Sequence, residues 1–403
     1  MSEATFTYQT RLQLVGASST ILDEYASLFG HVQRSLFAEI AKGASPLSLK
    51  NAYLTRFAIT ARQFNAIRVD TVGKIDSCKK LLPLQISNLQ DRIESLKKKI
   101  EKLSKKGANN FSIHQKKRRL QNLQHRAKKL QSDQELGKVR LCFGSKKLFR
   151  AQFDLEKNSY QSHEEWKQDW DDSRNAHFFV LGSKDETAGN QSCVATLQED
   201  GNLTLRLRLP NALAETYGKF LTITNVRFQY GHDNIVASLQ SCLERKHAIK
   251  DKKDLGQAIS YRFKEDKKGW IVFATTEMKK PKIITRNDLG AIGVDINADH
   301  LALVETDRFG NPIHKRTIFL NTYGKRTNQT LAIIGNACAE IVEWAEQTKK
   351  PIIHEQLDFQ KKKTSLKENN YKKRSRMLSS LAYNRIITLL KAKAFRHGVT
   401  TYS

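Results

Sequence analysis

The chain has 403 residues, which is enough for two or three domains with cores of their own. Its 69 lysines and arginines outnumber its 41 acids and give a net charge of +28, which predicts a polyanionic partner. No apolar run reaches the roughly 18 residues of a membrane-spanning helix. The five cysteines form no CxxC pair, so neither a disulfide framework nor a zinc site is predicted. We expect a soluble cytoplasmic protein.

The first part of the chain predicts one strand and then helices. Residues 5–14 (TFTYQTRLQL) alternate apolar and polar side chains, as a half-buried strand does. Apolar residues spaced by three and four then follow a Ser/Thr cap, which predicts a helix. Between residues 84 and 132 the same spacing occurs on both sides of the breaker KKGANNFS. That pattern predicts a helical hairpin with basic outer faces.

From about residue 139 to residue 282 the apolar period changes to two. Segments such as GNLTLRLRLP and FLTITNVRFQY predict short strands between turns, which suggest a compact antiparallel barrel or sandwich. After residue 290 the predicted order is strand, strand, helix, strand, basic segment and helix, which is typical of an α/β domain. The predicted fold class is therefore multidomain α+β.

Two acids occupy comparable places in this last region. Asp295 interrupts the apolar strand AIGVDIN, and Glu355 ends a later apolar strand, PIIHE. Carboxylates are the hard ligands that Mg²⁺ prefers, and bound Mg²⁺ activates water and neutralises charge on a phosphate. The pair therefore predicts a catalytic metal site of a magnesium-dependent phosphodiesterase. Strand alternation turns His354 to the opposite face, so we expect a structural role for it.

Other interpretations of these acids exist. Each acid taken alone is also explained as a strand-end cap or a salt-bridge partner. Further carboxylates lie nearby at Asp299, Asp307 and Asp358, and Asp307 is expected to form a turn. A strand followed by an acid also opens the phosphate loop of sugar-kinase and actin-type ATPases. That loop needs a glycine shortly after the acid, whereas residues 296–298 are Ile, Asn and Ala, so this reading is disfavoured.

Basic and amide side chains predict where nucleic acid binds. Lysines and arginines of the hairpin are suited to phosphates, although a solvated helix face explains them as well; they are Lys97, Lys98, Lys102, Lys116, Lys117, Arg118 and Arg119. In the segment RQFNAIR, Gln63 and Asn65 can bond base edges, and Arg62 and Arg68 can bond phosphates. A basic segment without apolar periodicity follows Glu355 and predicts a loop over the site; its cations are Lys361, Lys362, Lys363, Lys372, Lys373, Arg374 and Arg376.

Four collinear motifs resemble the transposon-encoded OrfB/TnpB family, which is related to the type V CRISPR effectors. They are ITARQFNAIR (59–68), LCFGSKKLFRAQ (141–152), GVDIN with ALVETDRFGNPI (293–313), and the stretch from EQLDFQKKK to AFRHGV (355–399). The resemblance implies an RNA-guided, Mg²⁺-dependent DNA endonuclease with guide RNA and double-stranded DNA as partners. It also implies that Asp295 and Glu355 are the first and second catalytic carboxylates.

The resemblance further implies a domain organisation. Residues 1–14 and 140–288 would form a wedge-like β-barrel that holds the guide RNA. Residues 15–139, with the hairpin 84–132, would form a helical recognition domain. Residues 289–403 would form a partial RuvC-like nuclease domain with a ribonuclease-H-like fold.

The sequence departs from the family pattern near its end. In the family a zinc-binding pair of CxxC motifs and a third catalytic Asp follow, and neither occurs up to Ser403. We therefore expect no zinc and a weakly held Mg²⁺, because such sites hold their metals with three or four carboxylates. The alternative function is an RNA-guided DNA-binding protein that does not cleave.

Overall fold

The computed structural model of the chain describes residues 4–105, 109–247, 256–278, 281–297, 299–355 and 383–403. It divides into two compact units, Met1–Met278 and Lys279–Ser403, so the protein is a mixed α and β chain of more than one domain. None of the helices in the described ranges combines the length and the apolar character that crossing a membrane requires. The basic segment predicted between residues 361 and 376 lies outside the described residues, and so does Asp358.

The first unit contains eight of the described α-helices. They are α1 (Ser18–Ala41), α2 (Lys50–Arg56), α3 (Ala61–Lys105), α4 (Asn110–Glu135), α5 (Lys146–Ala151), α6 (His163–Asn175), α7 (Asn211–Tyr217) and α8 (His232–His247). The hairpin predicted over residues 84–132 corresponds to the second half of α3 and to α4, which pack against each other. Leu89 and Leu96 of the predicted seam are buried, because a spacing of seven residues returns to the same helix face.

The strands of the first unit form two separate sheets. They are β1 (Ala4–Arg11), β2 (His177–Val180), β3 (Cys193–Leu197), β4 (Leu203–Arg208), β5 (Phe220–Val226), β6 (Ile259–Asp266) and β7 (Gly269–Met278). One sheet has the order β1-β7-β6-β2, and the other has the order β3-β4-β5. In the described ranges no ladder joins β1 to β2, so the strands do not close into the predicted barrel. Alternation predicts which face of a strand is buried but not which strand is its neighbour.

Aromatic side chains dominate the core of the first unit. Phe178, Phe263 and Trp270 are almost fully buried, and the ring of Phe178 stacks on Phe263 with 4.7 Å between centroids. The indole N–H of Trp270 donates to the Asp23 carboxylate at 2.9 Å, so its one polar group is satisfied. Burying each of these rings contributes on the order of 2–3 kcal/mol, and together they fix β2, β6 and β7 against α1.

The second unit is a five-stranded mixed sheet with two described helices. Its elements are β8 (Ile292–Ile296), β9 (His300–Thr306), β10 (Pro312–Phe319), α9 (Thr327–Thr348), β11 (Ile352–His354), α10 (Tyr383–Arg396) and β12 (Thr401–Tyr402). The sheet order is β10-β9-β8-β11-β12. Strands β8, β9 and β10 are antiparallel neighbours, whereas β11 runs parallel to β8 and to β12.

The core of the second unit lies between this sheet and its helices. Ile292, Val294 and Ile296 alternate into the core from β8 and join buried residues of α9 and α10, such as Ile341 and Leu390. The two helices also pack against each other. One face of β8 is therefore covered by helices, and the other face carries Gly293 and Asp295.

Candidate functional site

Asp295 and Glu355 lie at the carboxyl ends of two adjacent parallel strands. In the ladder between β8 and β11, His354 is opposite Val294, so Glu355 follows at the level of Asp295. The Oε1 atom of Glu355 accepts a hydrogen bond from the backbone N–H of Ile296 at 3.3 Å. Asp295 is exposed, because alternation directs its neighbours Val294 and Ile296 into the core. The structure thus brings together the two acids that the sequence pairs.

Neighbouring groups hold both acids in position. The side-chain amide of Asn297 donates to Asp295 Oδ2 at 2.9 Å. The hydroxyl of Tyr383 donates to the backbone carbonyl of Glu355, and Nδ1 of His354 lies 3.0 Å from the same oxygen. His354 itself is 4% exposed, which agrees with the structural role that alternation predicts. These contacts tie the end of β11 to β8 and to α10.

The chemistry of the two acids fits a divalent cation. Carboxylate oxygens at the ends of adjacent strands are a donor set suited to Mg²⁺. Within the described ranges, no group of three or more His, Cys, Asp or Glu side chains could hold a metal ion. The fit of this site to a divalent cation therefore depends on the carboxylates of Asp295 and Glu355.

The nearby acids have other roles. Asp299 lies 2.8 Å from Nδ1 of His300 and forms an ion pair when that histidine is protonated. Asp307 accepts the backbone N–H groups of Phe309 and Asn311 at 2.8 and 2.9 Å, which confirms that it forms a turn. Hydrogen bonds from the Asn311 side chain and from backbone N–H groups lower the pKa of Asp307.

The sheet face around Asp295 has a defined chemical pattern. Asp295 is opposite Ala302 on β9, and Ala302 is opposite Thr317 on β10, so these three side chains form one row. In the next row the rings of Phe319 and His300 lie 6.4 Å apart. Phe319 is 70% exposed. The sequence analysis missed this ring pair, although an aromatic residue at the end of a basic strand is a signal that could have found it.

The amides of the segment 59–68 are engaged within the protein. The backbone N–H of Thr60 donates to Oε1 of Gln63, and the N–H of Gln63 donates to the Thr60 hydroxyl, which is a capping box at the start of α3. Gln63 is 5% exposed, and its NH₂ donates to the carbonyl of Arg208 at 3.2 Å. Its predicted contact with a base edge is therefore replaced by helix capping and by a contact with β4.

The other polar residues of this segment also have partners. Asn65 Oδ1 accepts from Nη2 and Nε of Arg68 at 2.7 and 3.1 Å. Arg62 forms an ion pair with the buried carboxylate of Glu186. The spacing T-x-x-Q in TARQ is the sequence signal for the capping box, but Glu186 is too distant in sequence to be predicted as a partner.

The cations of the hairpin face solvent. Six are exposed, namely Lys97, Lys98, Lys102, Lys117, Arg118 and Arg119. Lys116 is partly buried and donates to the Ser112 hydroxyl at 3.2 Å. These side chains form a positive surface on α3 and α4 that suits phosphates without selecting a base sequence.

Comparison with known proteins gives matches in structure and none in sequence. No protein-family model matches the chain, and no curated protein matches it. The chain is similar to the cryo-EM structure of a Cas12f1–sgRNA–target DNA complex, with a TM-score of 0.35 and 11% identity, covering 100% of this chain and 89% of that chain. It is also similar to a CRISPR-Cas12f ternary complex, with a TM-score of 0.32 and 10% identity, covering 95% of this chain and 71% of that chain. Such TM-scores establish neither a family nor an activity.

Proposed function

We propose that the chain is an RNA-guided, Mg²⁺-dependent DNA endonuclease of the transposon-associated OrfB/TnpB type. The observation that carries the proposal is the pairing of Asp295 and Glu355 at the ends of adjacent parallel strands. The four motifs that resemble the family support the type, and the net charge of +28 supports polyanionic partners.

In this proposal Asp295 and Glu355 would hold Mg²⁺, which when bound would supply a Lewis acid for activating water and for neutralising charge on the phosphate. The chain's own groups orient the two carboxylates. Asn297 holds Oδ2 of Asp295, and the N–H of Ile296 holds Oε1 of Glu355. Because the helices cover the other side of the sheet, a DNA strand reaches the acids across the exposed face that also carries Thr317 and Phe319.

The second candidate is an RNA-guided DNA-binding protein that does not cleave. The observation that favours it is the lack of a third metal-binding side chain beside Asp295 and Glu355 within the described ranges. Two carboxylates bind Mg²⁺ weakly and leave the attacking water poorly positioned.

The test is cleavage by protein that is purified together with its co-expressed RNA. We expect a matching DNA duplex to be cut with Mg²⁺ and left intact with EDTA. Asp295→Asn and Glu355→Gln should each reduce the rate by at least about a thousandfold, because each removes a charged ligand but keeps the size of the side chain. Glu343→Gln is the matched control, since it neutralises an exposed carboxylate on α9 of the same unit.

The outcomes separate the candidates. Cleavage that depends on Mg²⁺, Asp295 and Glu355 supports the endonuclease. Retained binding of the matching duplex without cleavage selects the second candidate. Purified protein that carries no RNA and does not distinguish matching from unrelated duplexes overturns both.

A further inference from the structure

Four aromatic rings form a row along α6, α5 and the residues that follow α5. The ring centroids of Trp166 and Trp170 are 6.2 Å apart, those of Trp170 and Phe149 are 5.5 Å apart, and those of Phe149 and Phe153 are 6.2 Å apart. Trp166 is buried, and its indole N–H donates to the carbonyl of Leu148 at 2.8 Å. Phe149 is 44% exposed and Phe153 is 75% exposed. The row is therefore anchored in the protein at one end and forms an apolar surface in solvent at the other.

Helical spacing places a row of carboxylates beside these rings. Trp166 and Trp170 are four residues apart and share one face of α6. Glu165, Asp169 and Asp172 follow the spacing i, i+4, i+7 on the neighbouring face, and all three are exposed. Residues 153–172 contain seven acids and two lysines, which leaves a local charge of −5 in a chain of net charge +28. The aromatic face, defined as the rings of Phe149, Phe153 and Trp170, thus has an acidic border.

The three carboxylates of this border keep their negative charge. Their hydrogen-bond donors are neutral, namely the backbone N–H of Gln161, the hydroxyl of Tyr160 and the side-chain amide of Gln168, at 2.7 or 2.8 Å. The ion pairs of this segment involve Asp154 and Asp171 instead. Within the part of the chain that the structure describes, none of the three border acids forms an ion pair. Their charge is therefore available to a cationic partner.

We propose that the aromatic face docks a basic segment of a partner protein, one in which lysine or arginine side chains are interspersed with apolar ones. The apolar side chains of the partner would pack on Phe149 and Phe153, and its cations would pair with the acidic border or lie over the rings. The protein contains an internal example of the last contact, because the guanidinium carbon of Arg174 lies 5.8 Å from the centroid of the Trp170 ring. The proposal goes beyond the proposed function, since neither RNA nor DNA is the ligand.

Charge complementarity selects this occupant over others. A nucleic acid or an anionic membrane would bring phosphates against the acidic border, and like charges repel. An uncharged apolar partner would take the carboxylates out of water without pairing them, which costs free energy. A segment that combines cations with apolar side chains satisfies both the rings and the border.

A role in folding explains only part of this arrangement. Glu164 and Glu165 lie in the first turn of α6, where negative charge stabilises a helix. Asp172 lies in the last turn, where negative charge is unfavourable. The ring of Phe153 remains mostly in solvent, so folding buries little of it. A basic partner accounts for both of these features.

Fluorescence anisotropy tests the proposal with the full chain, prepared free of RNA so that the probe binds protein alone. The probe is a labelled peptide of lysine and leucine with the spacing of an amphipathic helix. We expect Phe153→Ala to raise the Kd about tenfold, because it removes the most exposed ring. Phe153→Leu should recover part of the loss, since it keeps an apolar side chain. The double variant Asp169→Asn with Asp172→Asn should raise the Kd about threefold at low salt and less at high salt.

Phe111→Ala is the matched control, because Phe111 is a ring of similar exposure, 67%, on the basic hairpin. We expect its Kd to equal that of the wild type. A second peptide, with every lysine replaced by glutamate, should not distinguish Phe153→Ala from the wild type.

Three outcomes would overturn the proposal. An unchanged Kd for the lysine peptide in both Phe153→Ala and the double variant removes the docking face. An equal loss for the glutamate peptide in Phe153→Ala removes the preference for a cationic partner. A loss of affinity for single-stranded oligouridylate in Phe153→Ala assigns the face to nucleic acid instead. Since no cleavage is measured, failure of this test differs from failure of the nuclease, which only Asp295→Asn and Glu355→Gln report.

Discussion

The carboxylate of Glu355 accepts a hydrogen bond from the backbone N–H of Ile296 at 3.3 Å, so the acid on β11 is joined to the residue that follows Asp295 on β8. This contact crosses between parallel strands that are separated in the chain by β9, β10 and α9. It fixes the level at which the two acids meet, because a slip of the ladder by one residue would turn Glu355 to the other face.

The first prediction concerns Mg²⁺ and stability. Two adjacent carboxylates repel each other when no cation lies between them, so Asp295→Asn should leave the free energy of unfolding unchanged or raise it by about 0.5 kcal/mol without metal. Mg²⁺ at ten times its Kd should stabilise the wild type by about 1.4 kcal/mol and the variant much less. Thermal unfolding with and without Mg²⁺ measures both effects. An equal response of both proteins to Mg²⁺ would rule out Asp295 as a ligand.

The second prediction concerns the ring pair beside the acids. Phe319 is 70% exposed and lies on the same sheet face as Asp295. Under the proposed function, its ring would stack on a base next to the scissile phosphate. Stacking contributes roughly 1–3 kcal/mol per base. We expect Phe319→Ala to raise KM about tenfold and to leave kcat within about twofold, because the stack is the same in the ground state and in the transition state.

Phe309→Ala is the control for this variant. Phe309 is 74% exposed in the turn between β9 and β10, and the guanidinium of Arg308 lies over its ring. Phe309→Ala should change neither KM nor kcat. A fall in kcat at constant KM for Phe319→Ala would contradict a stack that is equally strong in the ground state and in the transition state.

The candidate site illustrates what the sequence can predict. Asp295 and Glu355 stand out because each interrupts or ends a short apolar strand, and burial of the flanking residues is a local property. Their proximity is not local, since it depends on the parallel pairing of β11 with β8. The ring of Phe319 was overlooked for the same reason, because only the pairing of β10 with β9 places it beside His300.

Gln63 is a residue for which the sequence does contain a local signal of the contact that the structure forms. An amide on a basic helix suggests contact with a base, yet the T-x-x-Q spacing is a local signal for the capping box that Gln63 forms with Thr60. Its second contact, with the carbonyl of Arg208, joins α3 to β4 and has no local signal. A closed barrel, one of the two predicted arrangements, is not seen among the strands that the structure describes, because strand periodicity does not specify which edges pair.

The third prediction concerns Asp70 and pH. Burial raises the pKa of Asp70. The ring of His177, whose Nε2 lies 3.9 Å from Oδ2, the charge of Lys74 and hydrogen bonds from Lys74 and Gln33 outweigh burial and hold the pKa well below its usual value. Since the folded pKa is depressed, Asp70 contributes stability that is fully present above about pH 4 and is lost as the pH falls through the folded pKa. Asp70→Asn should therefore lower the free energy of unfolding at pH 7 by about 2 kcal/mol.

Urea unfolding of the wild type and Asp70→Asn from pH 7 to pH 2 tests this prediction. The difference between the two proteins should shrink below about pH 4. Asp266→Asn is the comparison, because a hydrogen bond from Arg11 also lowers the pKa of Asp266, to about 2, but on an exposed side chain. Its effect should be smaller, since solvent screens exposed pairs. A pH-independent difference for Asp70→Asn would contradict the account.

The fourth prediction concerns the glycine that precedes the strand of Asp295. Gly290 has a φ of +103°, and a Cβ atom there would lie 2.5 Å from the carbonyl oxygen of Asp307, with the carbonyl oxygen of Thr306 also in contact. Neither backbone atom can move without breaking the start of the ladder, where the N–H of Thr306 donates to the carbonyl of Ala291 at 2.9 Å. Gly290→Ala should therefore destabilise the second unit by about 3 kcal/mol.

Gly310→Ala separates the two causes of the stability loss expected in Gly290→Ala, which are the positive φ and the close approach of backbone oxygens. Gly310 has a similar φ of +87°, but nothing lies within 4 Å of a Cβ atom there, so the variant suffers backbone strain alone and should lose only about 1 kcal/mol. Hydrogen exchange of the segment 292–296, followed by mass spectrometry, reports the local effect on β8. We expect faster exchange in Gly290→Ala and near-normal exchange in Gly310→Ala. Equal exchange in the two variants would mean that the positive φ alone accounts for the effect of Gly290→Ala on β8. The predicted difference would show that close backbone packing around Gly290 holds Asp295 at the level of Glu355.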